Sequence, residues 1–170
     1  MNLEWNVVHV LSRNEKKVAE RLEKKGFRVY LPIQKRLRQW SDRKKWVDWV
    51  VLSGYVFVKI DKRQQVPVLE TVGVSRFLKF EGKPVIISEV EMTRFQALVE
   101  KAKDRPIEFT NESKFPVGAL VTIQTGQFKG VTGEVAMHKG RHKLKVQLSH
   151  IGNFSIELSA DEVVIYKNIS

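Results

Sequence analysis

Apolar and polar positions change their rhythm several times along the chain, and each change predicts an element. Residues 5–11, WNVVHVL, form an apolar run bounded by polar residues, which predicts a buried strand. Ser12 and Glu15 stand at capping-box spacing. Val18, Ala19 and Leu22 then line one side of a helix, and Gly26 is a natural stop. Residues 27–33 read as a second strand with Pro32 near its end. Residues 34–46, QKRLRQWSDRKKW, are too charged for a core strand and predict an exposed hairpin or loop. β character returns over 47–60, with Gly54 as a bend. Residues 62–72 predict a short helix with Pro67 in its first turns, 76–80 a strand, 82–84 a turn and 85–87 another strand. Ser88 and Glu91 repeat the capping spacing before Phe95, Leu98, Val99 and Ala102, which share one helical face.

After Ala102 the periodicity fails. The polar stretch that follows contains Pro106 and predicts an interdomain linker over 104–114. From Phe115 the pattern is all β. Leu144, Val146 and Leu148 alternate with Lys145 and Gln147, and Phe154, Ile156 and Leu158 alternate with Ser155 and Glu157. Period two at short spacing predicts a small antiparallel barrel. The β-α-β opening with further strands and a second helix predicts an α+β sandwich. The expected division is therefore a first domain over 1–103, the linker, and a second domain over 115–170. Gly126, Gly130, Gly133, Gly140 and Gly152 break up every helix the second domain could form. Glycine disfavours a helix interior by about 1 kcal/mol, so the barrel is expected to be constitutive.

Composition removes whole classes of chemistry. There is no cysteine, hence no disulfide, no thiolate nucleophile and no Cys-based zinc site. The first residues carry no basic region ahead of an apolar run, so no signal peptide is expected, and no apolar stretch is long enough to cross a bilayer. His138 and His142 stand four apart, but Gly140 lies between them in an expected hairpin, and two further ligands are lacking. Asp42 and Asp48 are too isolated for a metal-dependent nuclease. No Ser-x-x-Lys, phosphate loop or paired carboxylates stand in an apolar, cleft-like context. The expectation is a protein without catalytic residues, metal or cofactor.

The net charge of +11 is unevenly spread. Residues 13–45 hold 13 Lys/Arg against 4 Asp/Glu. A concentrated basic field attracts a polyanion. Arg13, Lys16, Lys17, Lys35, Arg36, Arg38, Arg43, Lys44 and Lys45 are suited to phosphates, and Trp40 sits among them. An indole stacks readily on a splayed base. Trp46 and Trp49 fit that role or packing on a sheet equally well.

Residues 118–135, GALVTIQTGQFKGVTGEV, have short apolar strands around glycines. Gly126, Phe128, Lys129, Gly130, Gly133 and Val135 resemble the centre of the KOW motif found in transcription elongation factors and some ribosomal proteins. The earlier part places that segment in one family. Residues 52–58, LSGYVFV, are similar to the Pro-Gly-Tyr-Val-Phe-Val strand of NusG-type N-terminal domains. Trp5-Asn6-Val7-Val8 resembles their opening, residues 14–19 their first helix, and Gly73 to Phe80 a following strand. Ser53 stands where the family has proline, and Asn6 where it has an aromatic residue. Residues 38–47 and the GVSRF at 73–77 look most like specialised paralogues of the UpxY and RfaH kind.

The resemblance implies a NusG-type N-terminal α/β sandwich, an antiparallel sheet with helices, followed by a small SH3-like KOW β-barrel. It implies a cytoplasmic monomer that suppresses pausing and termination, at particular operons for the specialised kind. It implies a grip on the clamp helices of bacterial RNA polymerase through Pro32, Leu52, Tyr55, Phe57, Phe77 and Phe80, and contact with the non-template DNA strand. In the barrel, Phe128 and Ile151 are the partner-binding candidates. Ile151 stands at the aromatic position of an Ile-Phe-Gly loop that meets a small-subunit ribosomal protein or Rho. Its identity keeps ribosome contact within the resemblance and argues against Rho. The competing reading is an RNA-binding ribosomal or ribosome-assembly protein that shares only the KOW segment; the motifs in residues 5–80 argue against it.

Overall fold

The computed structural model describes residues 1–111, 118–163 and 166–168. Part of the expected linker (112–114) and the start of the expected barrel domain (115–117) lie outside the described residues. Two compact units divide the chain: residues 1–32 with 50–89, and residues 33–49 with 90–170.

In the first unit, β1 (Glu4–Val10) is the axis of a five-stranded sheet. It pairs along one edge with β5 (Tyr55–Ile60), and β5 pairs onward with β2 (Arg28–Tyr30). Its other edge is shared by β6 (Val74–Phe77) and β9 (Ile86–Ile87). All these pairings are antiparallel. Alternation sends Val8, Val10, Val56, Val58, Ile60 and Phe77 to one face, where they bury Val18, Ala19 and Leu22 of α1 (Glu15–Lys24) and Val68 of α2 (Gln65–Leu69). A ribbon of β7 (Lys79–Phe80) and β8 (Lys83–Pro84) follows β6.

The expected capping box of α1 does not form. Asn14, not Ser12, is the N-cap, and it makes no side-chain cap bond. The Glu15 carboxylate instead accepts the Gly54 N–H at 2.9 Å. Gly54 adopts φ +85°, a turn conformation that glycine takes without strain, and its carbonyl accepts from Val10 N–H. The expected helix over 62–72 is a 3₁₀ turn (Lys62–Gln64) capped by Asp61 and Gln64, then the short α2.

The second unit holds the charged hairpin, β3 (Ile33–Gln39) and β4 (Lys44–Val50), with Trp40 N–H donating to Arg43 O across its turn. Expected β structure over 47–60 therefore splits, its start belonging to the hairpin. Helix α3 (Glu89–Ala102) buries Met92, Phe95, Leu98, Val99 and Ala102. The barrel is a six-stranded antiparallel sheet in the order β10 (Glu108–Thr110), β14 (Gly152–Leu158), β13 (Arg141–Leu148), β12 (Thr132–His138), β11 (Ala119–Ile123), β15 (Tyr166–Asn168). At Gly133 a Cβ would stand 2.6 Å from the Lys145 carbonyl oxygen, so only glycine lets these strands close up. β10 lies in the stretch expected as a linker; the β14 edge recruits it, with Phe109 opposite Phe154. The one-turn helix α4 (Ala160–Val163) interrupts the β pattern. Its cap is signalled by Ser159 and Glu162, whose carboxylate accepts the Ser159 N–H at 2.8 Å.

Two glutamine side chains finish α3. Gln127 Nε2 donates to the carbonyls of Lys101 (2.9 Å) and Ala102 (3.3 Å). Gln34, 1% exposed, donates to those of Lys103 (3.0 Å) and Arg105 (2.8 Å). The Gln34 oxygen accepts from Arg36 and from Ile107 N–H, so its amide is fully used. Arg105 reaches Glu162 at 2.8 Å and Gln127 at 3.2 Å, and its guanidinium lies 4.9 Å from the Phe128 ring centroid.

Replacing Gln34 by Ala strands two carbonyls and Ile107 N–H, and should lower stability by about 1–3 kcal/mol for each group left unsatisfied. Urea denaturation checks it: a shifted midpoint with unchanged slope is expected. The Arg105 hydrogen bond holds the Glu162 carboxyl at about 2, below its ordinary 4.5, against the upward push of burial. A depressed folded-state value gives stability above pH 4.5 that is lost as pH falls towards 2. Across that window wild-type protein should lose more thermal stability than Glu162→Gln, and equal losses would exclude this ion pair as the acid-sensitive element.

Candidate functional site

Three surfaces carry the side chains singled out by sequence. The first is the sheet face opposite α1. Cross-strand register sets Val7 against Phe57 and His9 against Tyr55. The His9 and Tyr55 rings meet edge to face at 5.3 Å, and Tyr30 and Phe57 lie 6.2 Å apart. Further along, Trp5 receives the Arg28 guanidinium at 5.6 Å and Lys59 Nζ at 5.9 Å, while Lys59 pairs with Glu89 at 2.9 Å. That pairing lowers the Glu89 carboxyl from its ordinary range.

Burial sorts the six expected polymerase contacts. Tyr55 is half-buried and Phe80 is 51% exposed. Pro32 and Leu52 are buried, and Phe57 is 0% exposed, so none of these three side chains is open to solvent. Phe77 does not share the face at all: it pairs opposite Val8 and belongs to the core under α1. Alternation assigned the faces of β5 correctly, but it carries no information about what covers each face. His9, which supports Tyr55, was not singled out; its only signal was a polar ring inside an apolar strand.

The second surface is the hairpin. Arg38, Arg43, Lys44 and Lys45 are exposed, and Trp40, Trp46 and Trp49 each keep roughly half their surface in solvent. Lys35 pairs with Asp48, and Arg36 lies over Trp49 at 4.6 Å while donating to Gln34 and to Ile107 O. Burial lowers the Arg36 value from its ordinary range, yet it remains a cation. The stacked Arg36 is thus a built-in part of the hairpin, and the outer cations are those available to an anion. Arg13, Lys16 and Lys17 are also exposed, but they stand at the start of α1 in the first unit and not on the hairpin.

The third surface is the barrel loop at 149–152. Ile151 is half-buried there, behind His150 at φ +64°. The Glu91 carboxylate binds Ser149 through its N–H (2.8 Å) and hydroxyl (2.5 Å). Phe128, by contrast, is 1% exposed beneath Arg105 and is a core residue. The motif position had suggested a contact, but the ring is needed to fill the turn that carries it. Among the described residues no group of three or more His, Asp or Glu is arranged for a metal, and no helix is long and apolar enough to cross a membrane.

Comparison with known proteins agrees with this architecture. A family model described as "Transcription termination factor nusG" matches residues 3–96. The transcription termination/antitermination protein NusG of Chlamydia trachomatis is 32% identical over 158 residues, covering 85% of each chain. That of Thermus thermophilus is 28% identical over 187 residues, covering 96% of this chain and 99% of its own. A solved structure described as "Domain interaction in Thermotoga maritima NusG" aligns over 99% of this chain and 98% of that one, at 24% identity and a TM-score of 0.52, and supports the same fold. The α+β unit, the glycine-cornered barrel and the family match over more than half of the sequence agree: the chain belongs to the NusG family.

Proposed function

We propose that this protein is a transcription elongation and antitermination factor with no active site. In this reading residues 1–103 bind the RNA polymerase clamp, and residues 115–170 recruit a further partner. The carrying observation is an exposed hairpin with outward-facing cations and three half-exposed indoles on a chain of the NusG family. Phosphates supply salt-dependent affinity to such a surface, and indoles supply stacking for unpaired bases. The non-template strand of the transcription bubble meets both requirements.

Tyr55 and Phe80 are the aromatic side chains of the expected clamp contact that reach solvent, and Tyr keeps a polar tip at a wet rim. Resemblance of residues 38–47 and 73–77 to specialised paralogues extends the proposal to action at particular operons. Ile151 on its barrel loop is the residue through which a small-subunit ribosomal protein would be met; Rho is not expected there.

In vitro transcription through a terminator, with and without the protein, tests the reading; read-through should rise. Pull-down should recover RNA polymerase, whereas ribosomal subunits alone would favour the ribosomal reading. Tyr55→Ala should weaken polymerase binding roughly five- to thirtyfold, as for an aromatic anchor worth about 1–2 kcal/mol, without changing the melting temperature of a residue on the rim. Wild-type affinity would remove Tyr55 from the interface. Replacing Arg43, Lys44 and Lys45 together with Gln should flatten the dependence of log affinity for DNA on log salt by about two, at roughly 0.7 per phosphate contact on a single strand. An unchanged slope would make the run a solvated face only.

A further inference from the structure

β5 begins at Tyr55, and the turn that delivers it is fixed at both ends. Where the turn begins, Val51 N–H donates to the Pro32 carbonyl at 2.9 Å. Where it ends, Gly54 is held from several directions. Its N–H donates to Glu15 Oε1 at 2.9 Å, and its carbonyl accepts the Val10 N–H at 2.8 Å. Its Cα faces the His9 ring: a Cβ there would stand 3.7 Å from His9 Nε2. That same ring meets Tyr55 edge to face, with centroids 5.3 Å apart and planes at 81°.

The residues ahead of Tyr55 have little stiffness of their own. Gly54 sits at φ +85°, and glycine crosses readily between the two hands of the backbone. Ser53 stands where the family resemblance places a proline, whose ring would have fixed one backbone angle. The restraint comes instead from a carboxylate. Glu15 is only 8% exposed, and an enclosed glutamate needs a partner to offset its lost hydration. The Gly54 N–H is such a partner, and a hydrogen bond to an ionised acceptor is stronger than one between neutral groups.

We propose that Glu15 is a positioning residue for polymerase binding, its carboxylate holding the Ser53–Gly54 turn so that Tyr55 stands against His9 at the rim of the sheet face. This role rests on the reading of Tyr55 as a polymerase contact and names the residue that presents it. Without the Glu15 bond, Gly54 regains its backbone freedom, and Tyr55 samples orientations that it must give up on binding. An anchor already ordered in the free protein binds more tightly, because less freedom is lost when the partner arrives.

The test uses the full-length protein and measures its affinity for bacterial RNA polymerase. An acidic residue in the first turn of α1 also favours the helix itself, so the variants separate charge from reach. Glu15→Gln keeps an acceptor oxygen at the same reach and loses the charge. Glu15→Asp keeps the charge and is one methylene too short. Glu15→Ala loses both. Glu15→Ala and Glu15→Asp should each weaken binding about three- to tenfold, as for the loss of one hydrogen bond, and Glu15→Gln should restore most of it. Added to Tyr55→Ala, Glu15→Ala should cost no further affinity, because it acts through that ring. Fluorine NMR of the free protein carrying fluorotyrosine, the Tyr55 line assigned by its absence in Tyr55→Phe, reads the presentation without polymerase. Glu15→Ala and Glu15→Asp should shift or broaden that line, and Glu15→Gln should leave it in place. Equal losses in Glu15→Gln and Glu15→Ala would assign the effect to charge at the helix start and overturn the positioning role. So would losses that multiply in the double variant, or an unmoved Tyr55 line in Glu15→Ala. Wild-type affinity in Glu15→Ala beside a weakened Tyr55→Ala would overturn it while leaving Tyr55 in the interface. Wild-type affinity in Tyr55→Ala would remove the contact and the positioning role together.

Discussion

The last carbonyls of an α-helix have no partners within it, and how they are satisfied decides what the helix end can be attached to. In this protein the end of α3 is met by two side-chain amides, Gln127 from the glycine-rich barrel turn and Gln34 from the hairpin. A common solution is a glycine in the left-handed region just past the helix. Here Lys103 takes that conformation at φ +51°, the Arg105 N–H returns to the Ala102 carbonyl at 2.8 Å, and the glutamines add their own bonds. The hairpin base, the direction in which Arg105 leaves and the seat of the Phe128 turn are all set at this one place.

What sequence revealed and what it concealed divide along physical lines. β1, β13, β14 and the buried face of α3 were legible because one side of each is apolar at the element's own period. The hairpin was legible for the opposite reason, since such a charge density is incompatible with burial. β10 was not legible: Glu-Phe-Thr is a strand only because an open edge of β14 accepts it, a non-local cause. Glu15 has the spacing of a capping residue, yet tertiary contact with Gly54 claims its carboxylate. At the candidate sites, residue type carried the chemistry but not the exposure. Leu52, Phe57 and Phe128 look like anchors in one dimension and prove to be buried, whereas Gln34 looks like one polar residue among many and is the best satisfied amide described in the chain.

The charge count needs a similar reading. Lys143 and Lys145 are barely exposed, paired with Glu108 and Glu134 at 2.7 Å each, and Arg105 is committed to Glu162. A cation so enclosed adds to the formal charge and little to the field at a distance, because its partner cancels it. The hairpin cations stand in solvent and determine what a polyanion meets. The basic cluster read as continuous over 13–45 is also divided, with the α1 cations in one unit and the hairpin cations in the other.

The short strand β10 has a consequence for colloidal behaviour. An exposed strand edge is a template on which a second molecule can extend the sheet. β10 covers Asn153, Phe154 and Ser155 of β14, and the Arg105 guanidinium bonds to the Glu157 carbonyl at 3.4 Å. The chain immediately before the barrel therefore acts as the barrel's edge guard. A fragment beginning at residue 115, the natural place to cut if 104–114 were only a tether, would bare that edge and the Phe154 ring that Phe109 covers at 5.0 Å, and so favour sheet-to-sheet association between molecules. A fragment that keeps residues 105–110 carries its own protection against it.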